Sequence, residues 1–267
     1  MNRSTAERIA ENVHAYAPSP LAGNVYLVGT ADAWALIDTG MPKQGERIRG
    51  VAAALFGPSA RPSAILLTHV HPDHAGSALE LARAWQVPIY LHPAEMDLAT
   101  ATDLATVTRY ATPLDRAIVL PLMRLMPRHR VEAMIQADSL DGWARPLPPD
   151  GTVPGLPGWT WVATPGHSPG HVAFHREPDG VLITGDALLT VNLGSPAGFV
   201  QALVRRGPAR LNDPPRYLDL DHAAAVASAA VLVRLRPRVL APGHGRPLAG
   251  AALDAQLRAY AGPHAAT

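Results

Sequence analysis

No cysteine occurs anywhere in the 267 residues. That excludes disulfides, thiolate metal ligands and cysteine nucleophiles together. Lysine is almost as scarce: Lys43 stands alone, so nearly all positive charge is arginine, and charged residues make up only 17% of the chain with a formal net charge of +1. Such a balance supplies no basic face of the kind that nucleic acid or an anionic membrane requires, and neither partner is expected. Long apolar runs are missing too. The N-terminus from Met1 to Arg8 leads into no stretch of signal-peptide length, and nothing later approaches a membrane span, so the expected location is cytoplasmic.

What is abundant is apolar residues, 48% of the chain, enough to bury a full core. One domain spanning 1–267 is expected, with insertions at about 93–150 and 188–218. The densest chemistry lies in Thr68-His69-Val70-His71-Pro72-Asp73-His74-Ala75-Gly76. This stretch follows Ser63 to Leu67, a short apolar run that reads as a buried strand, and precedes Ser77 to Trp85, which reads as a helix. Twelve histidines in the chain mean that a single one carries little weight. Three imidazoles and a carboxylate within six residues are different, because neutral histidine and carboxylate oxygen are the ligands that zinc and similar divalent ions favour, and alternate residues of an extended loop can face one point. Residues of the same chemistry recur downstream: His167 in Thr164-Pro165-Gly166-His167-Ser168-Pro169-Gly170-His171, Asp186 in Thr184-Gly185-Asp186, and His244 in Ala241-Pro242-Gly243-His244-Gly245. Each closes a strand-like run beside glycine, where a sheet presents loop residues.

In chain order, Val13 to Tyr16, Asn24 to Val28 and Ala33 to Asp38 read as strands of an opening meander, and Gln44 to Leu55 as a helix. Pro88 to Leu91 is a strand with His92 just beyond it, outside the metal pattern and read as structural. The segment 93–150 contains helical stretches at Glu95 to Thr108 and Leu120 to Ala137, then a loop from Arg145 to Asp150. Leu and Met at helical spacing in its second stretch read first as core packing, and otherwise as an apolar lid or the surface of a homodimer. Strands are expected at Trp159 to Ala163, His171 to His175 and Val181 to Thr184, with Pro178-Asp179-Gly180 as a hairpin turn. In the segment 188–218, Phe199 to Arg206 is a candidate helix, and Arg205, Arg206, Arg210 and Arg216 read as a solvated face rather than a site for an acidic substrate. Asp221 to Leu235 is a helix, Arg238 to Ala241 a strand and Ala251 to Tyr260 a closing helix.

The set HxHxDH, then His167, Asp186 and His244 in that order, resembles the metallo-β-lactamase superfamily of hydrolases over most of the chain. The phrases TPGHSPGH and TGD are most similar to its glyoxalase II-like branch. The resemblance implies an α/β fold, a four-layer αββα sandwich. Carried over position by position, it implies that His69, His71 and His167 hold one divalent metal ion, that Asp73, His74 and His244 hold a second, and that Asp186 bridges the two. It also implies that Asp38, ending the third strand, lies behind the ligands and orients a histidine; the plainer reading of Asp38 is a turn cap.

The activity so implied is hydrolysis of a small ester, thioester or lactone by a hydroxide between two metals about 3.5–4 Å apart, with Asp73 orienting the nucleophile or relaying its proton. Zinc is the first expectation for the metals, iron or manganese the alternatives. Asp186 occupies the position where true metallo-β-lactamases have cysteine or serine, which leaves β-lactamase activity at most promiscuous. His71 replaces the glutamate of diiron oxygen reductases of this fold. Acyl-homoserine lactonases share the ligands but carry a tyrosine where this chain has Leu189. Glyoxalase II itself has a C-terminal helical extension for glutathione thioesters, whereas this sequence stops at Thr267. Mononuclear-iron persulfide dioxygenases retain much of the motif and stand as the oxidative alternative.

Overall fold

The computed structural model describes residues 6–20, 22–204 and 207–264, so Met1 to Thr5, Arg205 and Arg206 lie outside the described residues. The chain opens with strands β1 (Glu7–Ala10), β2 (Val13–Tyr16), β3 (Val25–Gly29) and β4 (Trp34–Ile37), paired antiparallel in succession. Helix α1 (Gly45–Phe56) carries the chain across to β5 (Ile65–Leu66), which pairs parallel with β4. The short helix α2 (Pro72–Ala75) and helix α3 (Ala78–Trp85) then lead to β6 (Ile89–Leu91), also parallel. In α3 the residues at positions 78, 81, 82 and 85 are buried, the spacing of one helical face. Gln86 ends it in the left-handed region, donating its N–H to the Ala82 carbonyl.

Helices α4 (Met96–Ala99), α5 (Leu104–Arg109), α6 (Leu120–Arg124) and α7 (Arg128–Asp138) fill the first long segment, with a π-helical turn at Asp115–Val119 running into α6. The two longer helices read from the sequence are therefore broken. Asp103 caps a new helix by accepting from the Thr106 N–H, and Pro127 cannot continue the helix before it. Strand β7 (Ala144–Pro146) extends the first sheet beside β6 and takes up the first two residues of the stretch read as a loop from Arg145. It is an edge strand of three residues, where proline's missing N–H costs the ladder little. The stretch first read as core packing is only partly core: Leu120 and Val131 are buried, whereas Leu122, Leu125, Met126 and Met134 are exposed.

The second sheet consists of β8 (Thr160–Ala163), β9 (Val172–Arg176), β10 (Val181–Gly185), β11 (Val239–Pro242) and β12 (Leu248–Ala249), in the order β12-β11-β10-β9-β8. Helix α8 (Pro196–Val204) lies in the second long segment, α9 (His222–Arg234) precedes β11, and α10 (Gly250–His264) closes the chain. Asp221 caps α9 by accepting from the Ala224 N–H. Arg210 and Arg216 are exposed, as a solvated face requires.

Strand alternation sets the layers. On β4 and β10, Ala35, Ile37, Val181 and Ile183 join Tyr26, Val28, Leu66 and Phe174 in a core between the sheets. Their neighbours Trp34 and Leu36 turn to the other side, under α1 and α3. Leu182 and Leu240 likewise turn outward, under α9 and α10. Helices, sheet, sheet, helices: this is the four-layer αββα sandwich. Among the described residues no helix is long and apolar enough to cross a membrane.

Candidate metal centre

Strand β8 runs parallel to β10 and β11, because β9 is antiparallel to both of its neighbours and β10 pairs parallel with β11. Their carboxyl ends therefore share one edge of the second sheet. From that edge come His167 after β8, Asp186 after β10 and His244 after β11; from the facing sheet, the loop after β5 delivers His69 to His74. Backbone bonds tie the two edges together: Val172 N–H donates to the Thr68 carbonyl at 2.9 Å, and Asn24 N–H to the Gly243 carbonyl at 2.7 Å. The Asn24 side-chain amide also donates to the carbonyls of Pro242 and Gly245, holding the His244 turn against β3. At Gly243 a β-carbon would lie 2.0 Å from Asp186 Oδ1, so only glycine lets that turn pass the carboxylate.

The hydrogen bonds behind the histidines dictate where their lone pairs point. Thr68 Oγ1 has one proton and lies 2.9 Å from Asp38 Oδ2, so it donates there and accepts from His69 Nδ1 at 3.0 Å. His69 Nε2 is then a bare acceptor. His74 Nδ1 donates to Asp38 Oδ2 at 2.8 Å and His167 Nδ1 to Asp219 Oδ1 at 3.1 Å, freeing the Nε2 atoms of both. His71 Nδ1 sits 3.1 Å from His69 Nε2 and 2.9 Å from His167 Nε2. Three nitrogens at such separations outline one face of a small coordination polyhedron.

A second group forms beside the first. His244 Nε2 lies 3.0 Å from Asp73 Oδ2 and 3.4 Å from Asp186 Oδ2, while His74 Nε2 lies 3.7 Å from Asp73 Oδ2 and 3.3 Å from Asp186 Oδ1. Asp186 Oδ2 also lies 3.6 Å from His167 Nε2 in the first group. The triads His69–His71–His167, His69–His74–Asp186 and Asp73–His74–His244 each gather ligand atoms compactly enough for one ion. His74 Nε2 and Asp186 Oδ1 are buried without a hydrogen-bond partner among the described residues, which is costly for polar atoms. A cation between them would satisfy both, and the donor set of imidazole and carboxylate fits a divalent ion.

Charge divides the cluster. Burial, reinforced by the neighbouring imidazoles, pushes His69 well below the ordinary histidine range, and burial with His167 brings His71 down to about 4. Burial also opposes charge on His74 and His244, but the carboxylates overcome it: Asp186, Asp73 and Asp38 hold His74 well above its usual range, and Asp186 with Asp73 raises His244 to about 9. Both carboxylates are correspondingly lowered against the effect of burial, Asp186 chiefly by His244 and Asp73 chiefly by His74.

Residues 18–244 match the family model of the metallo-beta-lactamase superfamily. The chain belongs to that superfamily. The "Probable metallo-hydrolase YflN" of Bacillus subtilis (strain 168) is 35% identical over 230 residues, covering 85% of this chain and 82% of the relative. Among solved structures, TTHA1623 in a di-iron-bound form is 30% identical, with a TM-score of 0.52 over 86% of this chain and 91% of that one. The metallo-beta-lactamase family protein TTHA1429 from Thermus thermophilus has a TM-score of 0.64 over 97% of this chain and 81% of that one; at 24% identity its likeness is one of fold.

Within this superfamily member, all seven residues singled out in the sequence converge, and Asp38 stands behind them as the resemblance implied. Asp38 is itself in the left-handed region at φ 58°, tolerable for aspartate and typical of a constrained functional position. His92 is elsewhere: its Nδ1 accepts from the Ala94 N–H and its ring packs edge-on against Trp161. His171 reaches the site without facing it, since its Nε2 accepts the Asp186 N–H at 2.9 Å while Nδ1 meets Thr164 Oγ1 at 2.7 Å.

Two buried carboxylates escaped the sequence reading. Asp219 bridges His167 Nδ1 and His222 Nδ1. Glu95 accepts from the Val70 N–H, the Ser168 hydroxyl and the Gly170 N–H, clamping the His69–His71 loop to the His167 loop. No motif would have revealed either one, because the site residues they hold, His167 for Asp219 and the loops at Val70 and Ser168 for Glu95, are distant in sequence.

Proposed function

We propose that this chain is a hydrolase of small esters, thioesters or lactones, of the glyoxalase II-like branch, that works with two divalent metal ions. His69, His71 and His167 would hold one ion, Asp73, His74 and His244 the other, with Asp186 between them. The observation that carries the reading is the set of Nε2 atoms of His69, His74 and His167, each facing inward because the opposite ring nitrogen is committed to a hydrogen bond. When bound, such ions polarise a carbonyl and bring the pKa of water toward neutrality.

The protein's own part is orientation and proton handling. Asp38, Thr68 and Asp219 fix the rings of His69, His74 and His167 before any ligand arrives. Asp73, with 27% of its side chain exposed, is the carboxylate placed to accept a proton from an attacking water and pass it toward the leaving group. It also borders an open cavity through which substrate would enter. Zinc is our first choice of metal. Iron is the rival, since TTHA1623, 30% identical, is known in a di-iron-bound form.

The test combines metal analysis with a panel of esters, thioesters and lactones. Two metal atoms per chain are expected, with loss of metal and of all hydrolysis in His69→Ala and Asp186→Ala. Full activity in those variants would overturn the proposal. One iron per chain, with oxygen uptake on a persulfide, would instead establish the dioxygenase alternative.

A further inference from the structure

A cavity of about 430 Å³ opens beside His71 and Asp73 and continues between the helices of the first long segment. Its walls there are Leu98 on α4, Val107 on α5, Leu120 and Met123 on α6, and Ile135 on α7, with Leu218 facing them from the second long segment. Some of the polar groups along the way are engaged in hydrogen bonds. Asp115 accepts from both the N–H and the hydroxyl of Thr112, and the Tyr110 hydroxyl donates to Asp97. Among the described residues, no arginine or lysine lines the cavity.

We propose that this cavity takes an unbranched alkyl chain, so that the substrate is an ester or thioester whose scissile carbonyl lies at His71 and Asp73 and whose apolar arm runs between α4, α5, α6 and α7. The inference rests on the hydrolase reading for the position of the carbonyl, and on the cavity for the arm. A pocket of this size with one polar end and mostly apolar walls fits a ligand of the same polarity pattern. The acidic side chains of Asp115 and Asp138 on the wall disfavour an arm that ends in a carboxylate, because two like charges would face each other with no cation between them. A short acyl group such as acetyl would leave the apolar walls uncovered and gain nothing from them.

Hydrolysis by this route breaks the bond from the acyl carbon to oxygen or sulfur and forms one from that carbon to water oxygen. The water's protons end on the leaving alcohol or thiol and in solution, so no oxidant or reductant enters.

Two measurements on the zinc-loaded full chain test the proposal. The first is calorimetric binding of butyrate, hexanoate and octanoate. Affinity is expected to rise about fourfold per methylene, the factor equivalent to ~0.8 kcal/mol for a buried CH₂. The second is kcat/KM along p-nitrophenyl acyl esters from acetate to decanoate and along alkyl acetates from methyl to decyl; a rise in the first series places the arm on the acyl side, and a rise in the second places it on the leaving group. Met123→Trp should abolish the chain-length dependence of both binding and kcat/KM, and Ile135→Trp, on a different helix, repeats the test should the first variant fail to fold; a chain-length dependence that survives in both variants would overturn the placement of the arm between these helices. Affinity and kcat/KM that are flat with chain length overturn the proposal. Chain-length-dependent octanoate binding without turnover of any ester would sink the hydrolase reading and keep the cavity's assignment, whereas turnover of acetates with flat series does the reverse.

Discussion

Asp38 Oδ2 stands 2.8 Å from His74 Nδ1, and both side chains are almost wholly withdrawn from solvent. The same carboxylate accepts from the Thr68 N–H and the Thr68 hydroxyl. One residue thereby sets the tautomer of His74 directly and, through the hydroxyl of Thr68, that of His69. The two histidines belong to different halves of the proposed centre, so Asp38 couples them.

Replacing that carboxylate by an amide tests the coupling. Asp38→Asn would present an NH₂ where two donors now converge, forcing His74 or Thr68 to turn. We expect metal affinity to fall about 10–100-fold, the usual effect of removing a partner behind a ligand. Titration against a competing chelator reads this directly, and an affinity within twofold of the parent would show that the rings are held by packing alone.

Glu95 does a different job. It touches no proposed ligand, yet its carboxylate joins the loop bearing His69 and His71 to the loop bearing His167 through Val70, Ser168 and Gly170. Glu95→Gln keeps the shape but turns one of two acceptor oxygens into a donor facing donors. Hydrogen bonds to a charged group are worth about 1.5–3 kcal/mol, so a loss of about 2–3 kcal/mol in unfolding free energy is expected by urea titration. Metal content per chain should fall with it. A loss under about 0.5 kcal/mol, the size of an ordinary surface change, would refute the clamp.

The difference between these residues and the seven of the centre explains what the sequence disclosed. His69, His71, Asp73 and His74 are neighbours in the chain, and His167, Asp186 and His244 each sit in a glycine-bordered phrase after an apolar strand, so both identity and setting are local. The alternation of Trp34 to Ile37 and of Val181 to Thr184 is local too, and it carries the two-sided burial from which the layers follow. Glu95 and Asp219 lack any such signal. Glu95 lies 75 residues from Gly170 and Asp219 lies 52 from His167, so only the folded chain reveals what they hold. Edge strands β1, β7 and β12 were equally silent, being two to four residues long and set by the sheet beside them rather than by their own pattern. The Leu- and Met-rich stretch misled for a related reason. Helical spacing shows that a face is apolar and leaves open whether core, cavity or solvent meets it.

Metal removal should cost the fold as well as the activity. Stripped of cations, His74 Nε2 and Asp186 Oδ1 stay buried with no hydrogen bond and only a 3.3 Å charge contact with each other, and the carboxylates of Asp73 and Asp186 keep only imidazolium for balance. An ion that binds the folded chain and not the unfolded one stabilises it by about 2.7 kcal/mol when free metal is at a hundredfold of Kd. For a chain of this size each kcal/mol is worth roughly 2–4 °C, so dialysis against chelator should lower the melting temperature by about 5–10 °C and readdition of zinc should restore it. The control is a double variant, His71→Ala with His244→Ala, which removes one ligand from each half of the centre. Its melting temperature should be indifferent to chelator. If the parent chain were equally indifferent, with metal loss verified by elemental analysis, then the buried atoms of the site would have found other partners and the centre would not be built around cations.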